Sequence, residues 1–193
     1  MDNDTYQRIL DASEVLFSEF GFSGVTLQQI AKAVDMRHAS LYYYAPKGKE
    51  DLYIKVTERS FRRHGEGLTN AIIEAGADFR DQVHAVAYWF AVHPPIDLGR
   101  IVRSDMPAIN PVDAERLTEL SLEMLRVPIA AIIRNAIRKG LVHVNDPDFA
   151  AMGLVGLLQS VHNIPQRFIP DRDARVAATI SAANMLLDGW LMR

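Results

Sequence analysis

Apolar side chains recur every three or four residues along almost the whole chain, and the strict alternation typical of β-strands is nearly absent. Turn-forming residues such as Pro46, Gly48 and Gly140 separate these periodic segments. Pro128 lies inside the longest of them, about residues 112–139, where its missing backbone N–H predicts a kink. The pattern therefore predicts an all-α fold of about nine helices.

Composition narrows the class of protein. Of the 193 residues, 49% are apolar and 23% are charged, which is typical of a folded globular chain. There is no cysteine, which excludes disulfides and thiolate metal sites. The sequence begins MDNDTYQRIL, without the basic and apolar regions of an export signal. The longest uncharged stretch, residues 149–166, is too polar for a membrane span. We expect a cytoplasmic protein without a membrane partner.

Charge is unevenly distributed along the chain, although the net charge is only −3. Residues 32–63 carry eight basic and four acidic side chains, a net of +4, whereas residues 1–31 carry one basic and five acidic side chains, a net of −4. Because the local field attracts a polyanion, the basic segment is a candidate nucleic-acid surface. A solvated helix face is the alternative interpretation of the same charges.

Two short helices are predicted inside this region, with a turn of about three residues between them. Thr26 opens the first, and its spacing from Gln29 is that of a capping box. The second runs from about residue 37 to residue 44 and would bury Leu41 while its other side faces solvent. This arrangement is a helix-turn-helix pattern, in which the second helix can enter a DNA groove.

Three adjacent tyrosines follow, and a core has little use for three neighbouring phenols, because each hydroxyl needs a polar partner. At a DNA surface a phenol can donate to a phosphate oxygen, and an amino helix end attracts anions. We therefore expect the tyrosines, the helix-capping threonine and a nearby lysine to contact phosphates, and the polar residues of the second helix to read base edges. These candidates are Thr26, Arg37, His38, Ser40, Tyr42, Tyr43, Tyr44 and Lys49.

An ordered set of short segments in the first 52 residues resembles the amino-terminal domain of TetR-type (tetracycline-repressor-like) transcriptional regulators. The segments are Ile9-Leu10-Asp11-Ala12, Leu16-Phe17, Gly21-Phe22, Thr26, Ile30-Ala31, Leu41-Tyr42 and Lys49-Glu50-Asp51-Leu52. The resemblance implies a three-helix, helix-turn-helix DNA-binding domain over residues 1–48, with a helix over residues 49–66 linking it onward. Residues 67–193 would form a helical domain for effector binding and dimerisation.

The chain departs from the family pattern at a few positions. Asp35 stands in the turn where the family commonly has glycine, and aspartate tolerates a left-handed backbone better than most residues. Tyr44-Ala45 stands where the family often has His-Phe, so that a phenol replaces an imidazole and a small side chain replaces a core aromatic. Gly48 is an additional residue in the lysine-containing turn.

The resemblance also implies a homodimer that binds a palindromic operator in double-stranded DNA. Its last two helices, about residues 147–164 and 172–191, would pair with their mates. The first of them carries apolar side chains on nearly every side, which independently indicates burial all round. The alternative is that both helices are internal to one chain.

A regulator of this kind would hold a small apolar or amphipathic effector in its larger domain. Aromatic, methionine and isolated polar side chains could line such a cavity, and ordinary core packing is the alternative for each. The candidates are Trp89, His93, Met106, Met124, Met152, Gln159 and His162.

Motifs of catalysis are not found in the sequence. The six histidines lack close metal-ligand spacing, and neither a phosphate-binding glycine loop nor a nucleophile elbow is present. We therefore expect no enzymatic activity, no cofactor and no metal. The favoured hypothesis is a sequence-specific transcriptional regulator, and repression rests on the resemblance alone. The alternatives are a helical adaptor that binds no DNA and an unrecognised all-α enzyme.

Overall fold

A computed structural model of the chain describes residues 3–191, and the regular structure in that range is helical apart from an isolated bridge between Val142 and Leu191. The all-α prediction is confirmed. The helices are α1 (Asn3–Gly24), α2 (Leu27–Ala33), α3 (His38–Leu41), α4 (Lys49–Glu74), α5 (Phe79–Val92), α6 (Leu98–Arg100), α7 (Pro111–Ser121), α8 (Val127–Arg138), α9 (Pro147–Ser160) and α10 (Arg172–Trp190). Short irregular helical turns are Ile101–Asp105, Met106–Ala108, Leu122–Arg126 and Val161–Asn163.

The chain forms two compact units that do not follow sequence order. Unit 1 contains the described residues up to Phe61 together with Asp97–Leu120. Unit 2 contains Arg62–Ile96 together with the described residues from Ser121 onward. The chain leaves unit 1 within α4 and returns to it for α6 and α7, a return that the sequence-based division does not anticipate. The assignment of functions to residues 1–48 and 67–193 remains a prediction.

The core of unit 1 includes apolar side chains from each of its first four helices. Ile9 of α1, Ile30 of α2, Leu41 of α3 and Leu52 of α4 are all fully buried. Because α2 and α3 are too short to be stable alone, this shared core holds them in place.

Helix α4 is longer than predicted. The sequence predicts a helix that ends near residue 66, and this is wrong, because α4 continues to Glu74. Its glycines serve close packing within unit 2 instead of ending the helix. A Cβ atom at Gly67 would lie 1.9 Å from the ring of Trp89, and one at Gly65 would lie 2.6 Å from the sulfur of Met124.

Replacing Gly67 by alanine should therefore destabilise the protein, by about 1–3 kcal/mol, because the added methyl overlaps the Trp89 ring. An ordinary helical Gly→Ala change does the reverse, by up to about 1 kcal/mol. The control is Gly189→Ala in α10, where no described atom of another element lies within 4 Å of the new Cβ. Urea unfolding measures both, and a more stable Gly67→Ala variant would contradict the packing role.

A π-helical turn, Leu122–Arg126, interrupts the helix predicted over about residues 112–139 directly before α8, and the kink at Pro128 stays a prediction. Pro128 then lies in the first turn of α8, directly after this wider turn. Helices α7 and α8 thereby follow one another without a loop.

Unit 2 packs α5 against α10 and α8 against α9. Its core includes Phe90, Ile129, Leu154 and Leu187, each almost completely buried. Within residues 3–191, no helix is both long and apolar enough to cross a lipid bilayer.

Candidate functional site

The predicted capping box at the start of α2 is confirmed. The Thr26 hydroxyl oxygen accepts a hydrogen bond from the backbone N–H of Gln29 at 3.3 Å, and the Gln29 side-chain oxygen accepts one from the Thr26 N–H at 2.7 Å. These local bonds satisfy amides that a helix of seven residues would otherwise leave open. Thr26 is exposed, as a phosphate contact requires.

Asp35 forms the turn between α2 and α3 with a left-handed backbone, φ 54°. The next residue, Met36, donates its N–H to the carbonyl of Ala31 at 2.9 Å and closes the end of α2. Aspartate thus occupies the backbone region that glycine adopts most easily.

Helix α3 is anchored by one side chain and exposed elsewhere. Leu41 is fully buried, whereas Arg37, His38 and Ser40 are all exposed. The helix ends at Leu41, earlier than predicted, and the chain continues in turns closed by hydrogen bonds from the Tyr44 and Ala45 amides to the Leu41 carbonyl. A small helix therefore presents a polar face outward.

The three tyrosines occupy different environments. Tyr42 and Tyr43 are 47% and 63% exposed, and the Tyr42 ring packs edge-on against His38. Tyr44 is partly buried and stacks on Tyr6 of α1, with ring centroids 6.3 Å apart. The more exposed rings, those of Tyr42 and Tyr43, are thus the better placed of the three for a phosphate contact.

Lys49 is held at the end of α1 instead of extending freely into solvent. Its ammonium donates a hydrogen bond to the Phe22 carbonyl at 2.7 Å and lies 4.1 Å from the centre of the Phe22 ring. Burial lowers the pKa of Lys49. An ammonium has three donors, so this bond leaves two for other acceptors.

Part of the basic segment is neutralised inside unit 1. Arg59 of α4 forms ion pairs with Asp11 and Glu14 of α1, and Lys55 pairs with Asp51 one turn earlier. Exposed cations beside α2 and α3 are Lys32, Arg37 and Lys47. The positive surface available to a polyanion is consequently smaller than the sequence suggests, and it is concentrated around α3.

In unit 2, two effector candidates, His162 and Gln159, contact α5 and the segment that follows it. His162 donates from Nε2 to the Phe90 carbonyl, 2.7 Å away, and burial lowers the pKa of His162. The Gln159 side-chain oxygen accepts from the Ile96 amide at 3.2 Å. The Gln159 side-chain nitrogen is buried and has no hydrogen-bond partner among residues 3–191. An unsatisfied buried donor of this kind can serve a ligand acceptor.

A separate group of aromatic rings lies between α4 and α5. Trp89 and His93 stack with ring centroids 3.4 Å apart, and the Trp89 indole N–H donates to Nδ1 of the fully buried His64 at 3.1 Å. His64 belongs to the same group of rings but was not predicted from the sequence, because nothing in its local sequence marks it as buried.

The other effector candidates are less closely grouped. Met124 lies against Gly65, Met152 is partly buried on α9, and Met106 belongs to the other compact unit. Across the described part of the chain, no three His, Cys, Asp or Glu side chains are grouped closely enough to hold a metal ion.

A capped short helix, a left-handed turn and a second short helix with an exposed polar face together define a helix-turn-helix unit, here in an all-α chain. Residues 9–65 match the family model described as "Bacterial regulatory proteins, tetR family". This segment of the chain is therefore similar to the bacterial tetR-type regulatory proteins.

The similarity to a curated relative covers only part of the chain. The biofilm operon icaADBC HTH-type negative transcriptional regulator IcaR of Staphylococcus epidermidis is 44% identical over 54 residues, 28% of this chain and 29% of that protein. The alignment thus spans less than a third of this relative's length.

Likeness to solved structures extends over the whole fold. The fatty acid degradation regulator FadR from Bacillus halodurans superposes with a TM-score of 0.73 at 18% identity, covering 98% of this chain and 97% of that one. The SmeT–triclosan complex superposes with a TM-score of 0.67 at 19% identity, covering 98% and 93%. At these identities the likeness concerns the fold.

Proposed function

We propose that this chain is a cytoplasmic, dimeric repressor that binds a palindromic operator and is released by a small apolar or amphipathic molecule. The observation that carries DNA binding is the geometry of α3, where Leu41 is buried and the polar residues around it are exposed. Repression is supported by the name of IcaR, a negative transcriptional regulator that is 44% identical to this chain over 54 residues. No enzymatic role is proposed.

In this proposal the residues of α3 and its borders divide into two groups. Arg37, His38 and Ser40 read base edges, because they lie on the exposed side of the helix. The remaining candidates position the unit on phosphates, which carry no sequence information. These are Thr26, Tyr42, Tyr43, Tyr44 and Lys49. Tyr44 is the weakest phosphate candidate, since its ring stacks on Tyr6.

The two groups should respond differently to mutation. Arg37→Ala should reduce discrimination at one base position by about 1–3 kcal/mol, because an arginine paired with guanine is a specific contact. Lys49→Ala should weaken binding to all sequences alike. Lys139→Ala, in unit 2, is the control and should change neither. Binding titrations against a set of single-base variants of the selected site measure all three, and the reverse pattern would exchange the assigned roles.

Dimerisation through α9 and α10 is supported by uncharged, exposed stripes on both helices. On α9 the stripe contains Phe149, Gly153 and Gly156, and on α10 it contains Ser181 and Met185. Phe149 is 78% exposed and Met185 is 72% exposed in a single chain. Such apolar surface is unfavourable in water, and the glycines allow a second helix to approach closely.

The effector is proposed to bind beside α5 and α9, where Trp89, His93, Gln159 and His162 lie. Aromatic surface with a few polar groups suits a small, largely apolar molecule. The open donor of Gln159 suits a ligand that carries a hydrogen-bond acceptor. A relative in fold, SmeT, has been solved with the small molecule triclosan, which supports small-molecule binding by this class of fold.

A further inference from the structure

Asp105 is a buried carboxylate that lies outside the helix-turn-helix sequence, yet it is bonded to α1 and α4, the two helices that border it. The side chain is 2% exposed. One oxygen accepts a hydrogen bond from the backbone N–H of Phe22 at 2.9 Å, and the other accepts one from the Tyr53 hydroxyl at 3.1 Å. The second oxygen also lies 3.4 Å from Nε of Arg100.

Arg100 uses the rest of its guanidinium to hold the end of α1. Its two terminal nitrogens donate to the carbonyls of Ser18 at 2.8 Å and Phe17 at 3.0 Å. These carbonyls precede Gly21, where the helical backbone is interrupted at φ 70°. A cation at this end satisfies open carbonyls and opposes the negative end of the helix dipole.

Gly21 permits this close approach. A Cβ atom at this position would lie 3.1 Å from an Asp105 oxygen and 3.2 Å from the Arg100 side chain. The positive φ would strain any other residue. The end of α1 and the segment after α6 are therefore fitted to each other.

Tyr53 ties the same carboxylate to α4. Its ring packs against Phe17 and Phe22, with centroids 5.2 and 5.1 Å away. Burial, followed by the negative charge of Asp105, raises the pKa of Tyr53 far above its ordinary value. The hydroxyl consequently remains a hydrogen-bond donor at any physiological pH.

Phe22 is held on both sides of its backbone. Asp105 accepts its N–H, and Lys49 donates to its carbonyl at 2.7 Å. Phe22 lies four residues before Thr26, which is the N-cap residue of α2. Its position therefore sets where the chain enters the helix-turn-helix.

The segment that contains Arg100 and Asp105 makes two further contacts with α4. The Glu50 carboxylate accepts the backbone N–H of Asn110 at 2.6 Å, and Glu58 forms an ion pair with Arg116. Residues 97–120 thus contact both α1 and α4, the two helices that border α2 and α3.

We propose that Arg100 and Asp105 form a positioning clamp for DNA recognition. The clamp fixes the end of α1 against α4, and thereby sets the orientation in which α3 meets DNA. Specific DNA binding would then depend on residues 97–120, which contain none of the DNA-contacting candidates. The inference rests on the proposed function, because its readout is DNA binding.

The test compares specific with non-specific binding. The probes are a duplex that the wild-type chain selects from a random pool and a scrambled duplex of equal length and composition. Asp105→Asn keeps the shape but removes the charge, so that the Arg100 and Tyr53 contacts are weakened. We expect affinity for the selected duplex to fall at least about tenfold, equivalent to about 1.4 kcal/mol, while affinity for the scrambled duplex stays unchanged.

Two further variants make the comparison decisive. Glu119→Gln removes an exposed carboxylate from the same segment, away from the clamp contacts, and should leave both affinities unchanged. Tyr53→Phe removes a single donor and should give an intermediate loss of specific affinity, which also provides a test if Asp105→Asn does not fold. Hydrogen exchange at the Phe22 amide should accelerate in both clamp variants, since that amide is bonded to Asp105.

The outcomes separate the clamp from the function on which it rests. A folded Asp105→Asn or Tyr53→Phe protein with the wild-type ratio of specific to scrambled affinity would overturn the clamp. If the affinities for the selected and the scrambled duplex fall together, in proportion to the folded fraction, then Asp105 only stabilises the fold. That result would also overturn the clamp. A wild-type chain that selects no sequence would contradict DNA recognition itself, and the clamp with it.

Discussion

Affinity of the proposed dimer for its selected duplex should fall about 10³–10⁵-fold between 50 and 200 mM salt. A protein that neutralises six to ten phosphates releases the counterions of those phosphates, and added salt opposes this release. Each chain offers the cations Lys32, Arg37, Lys47 and Lys49 near α3, so two chains supply a number of cations in this range. Fluorescence anisotropy titrations at several salt concentrations give the slope of log affinity against log salt.

The slope of log affinity against log salt can also be compared between variants, which provides a control. Lys47→Ala should reduce its magnitude by about 0.9 for each phosphate contact that is lost, whereas Lys139→Ala, in unit 2, should leave it unchanged. A nearly flat salt response would mean that few phosphates are neutralised, and would be incompatible with the proposed orientation of α3 on DNA.

Met185→Glu should dissociate the dimer and reduce operator affinity about 10²–10⁴-fold. The side chain is 72% exposed in a single chain, and pairing through α10 would bury a glutamate without a partner. The affinity loss follows because two linked reading helices bind a palindrome with an avidity that one helix lacks. Sedimentation should show the wild type at twice 21.6 kDa and the variant at 21.6 kDa.

Ile73→Glu is the matched control, because Ile73 is similarly exposed in unit 2 but lies on α4. It should leave both the sedimentation and the DNA affinity unchanged. If the Met185→Glu protein remains a dimer with full affinity, the pairing surface lies elsewhere or the regulator acts without it.

Features that depend on neighbouring residues were predictable from the sequence. The capping box of Thr26 and Gln29 and the burial of Leu41 follow from spacing over a few positions, because a short helix needs its end amides satisfied and one side chain buried. The left-handed turn at Asp35 is likewise a local property of its backbone. These elements define the helix-turn-helix.

Predictions failed or remained incomplete where the partner is distant in the chain. The helix predicted to end near residue 66 continues to Glu74, and Gly67 within it lies against the Trp89 ring, 22 positions later, where there is no room for a side chain. The three tyrosines look equivalent in sequence, and only stacking on Tyr6 distinguishes Tyr44.

Local chemistry was therefore enough to predict the all-α fold, the capped helix α2 and the exposed polar face of α3. The clamp at Asp105 required the tertiary structure, because its bonds to Phe22 and Tyr53 join residues 83 and 52 positions apart. A buried carboxylate is stable only where folding brings several hydrogen-bond donors to it. These donors are distant in the chain, so no spacing pattern in the sequence predicts the contact.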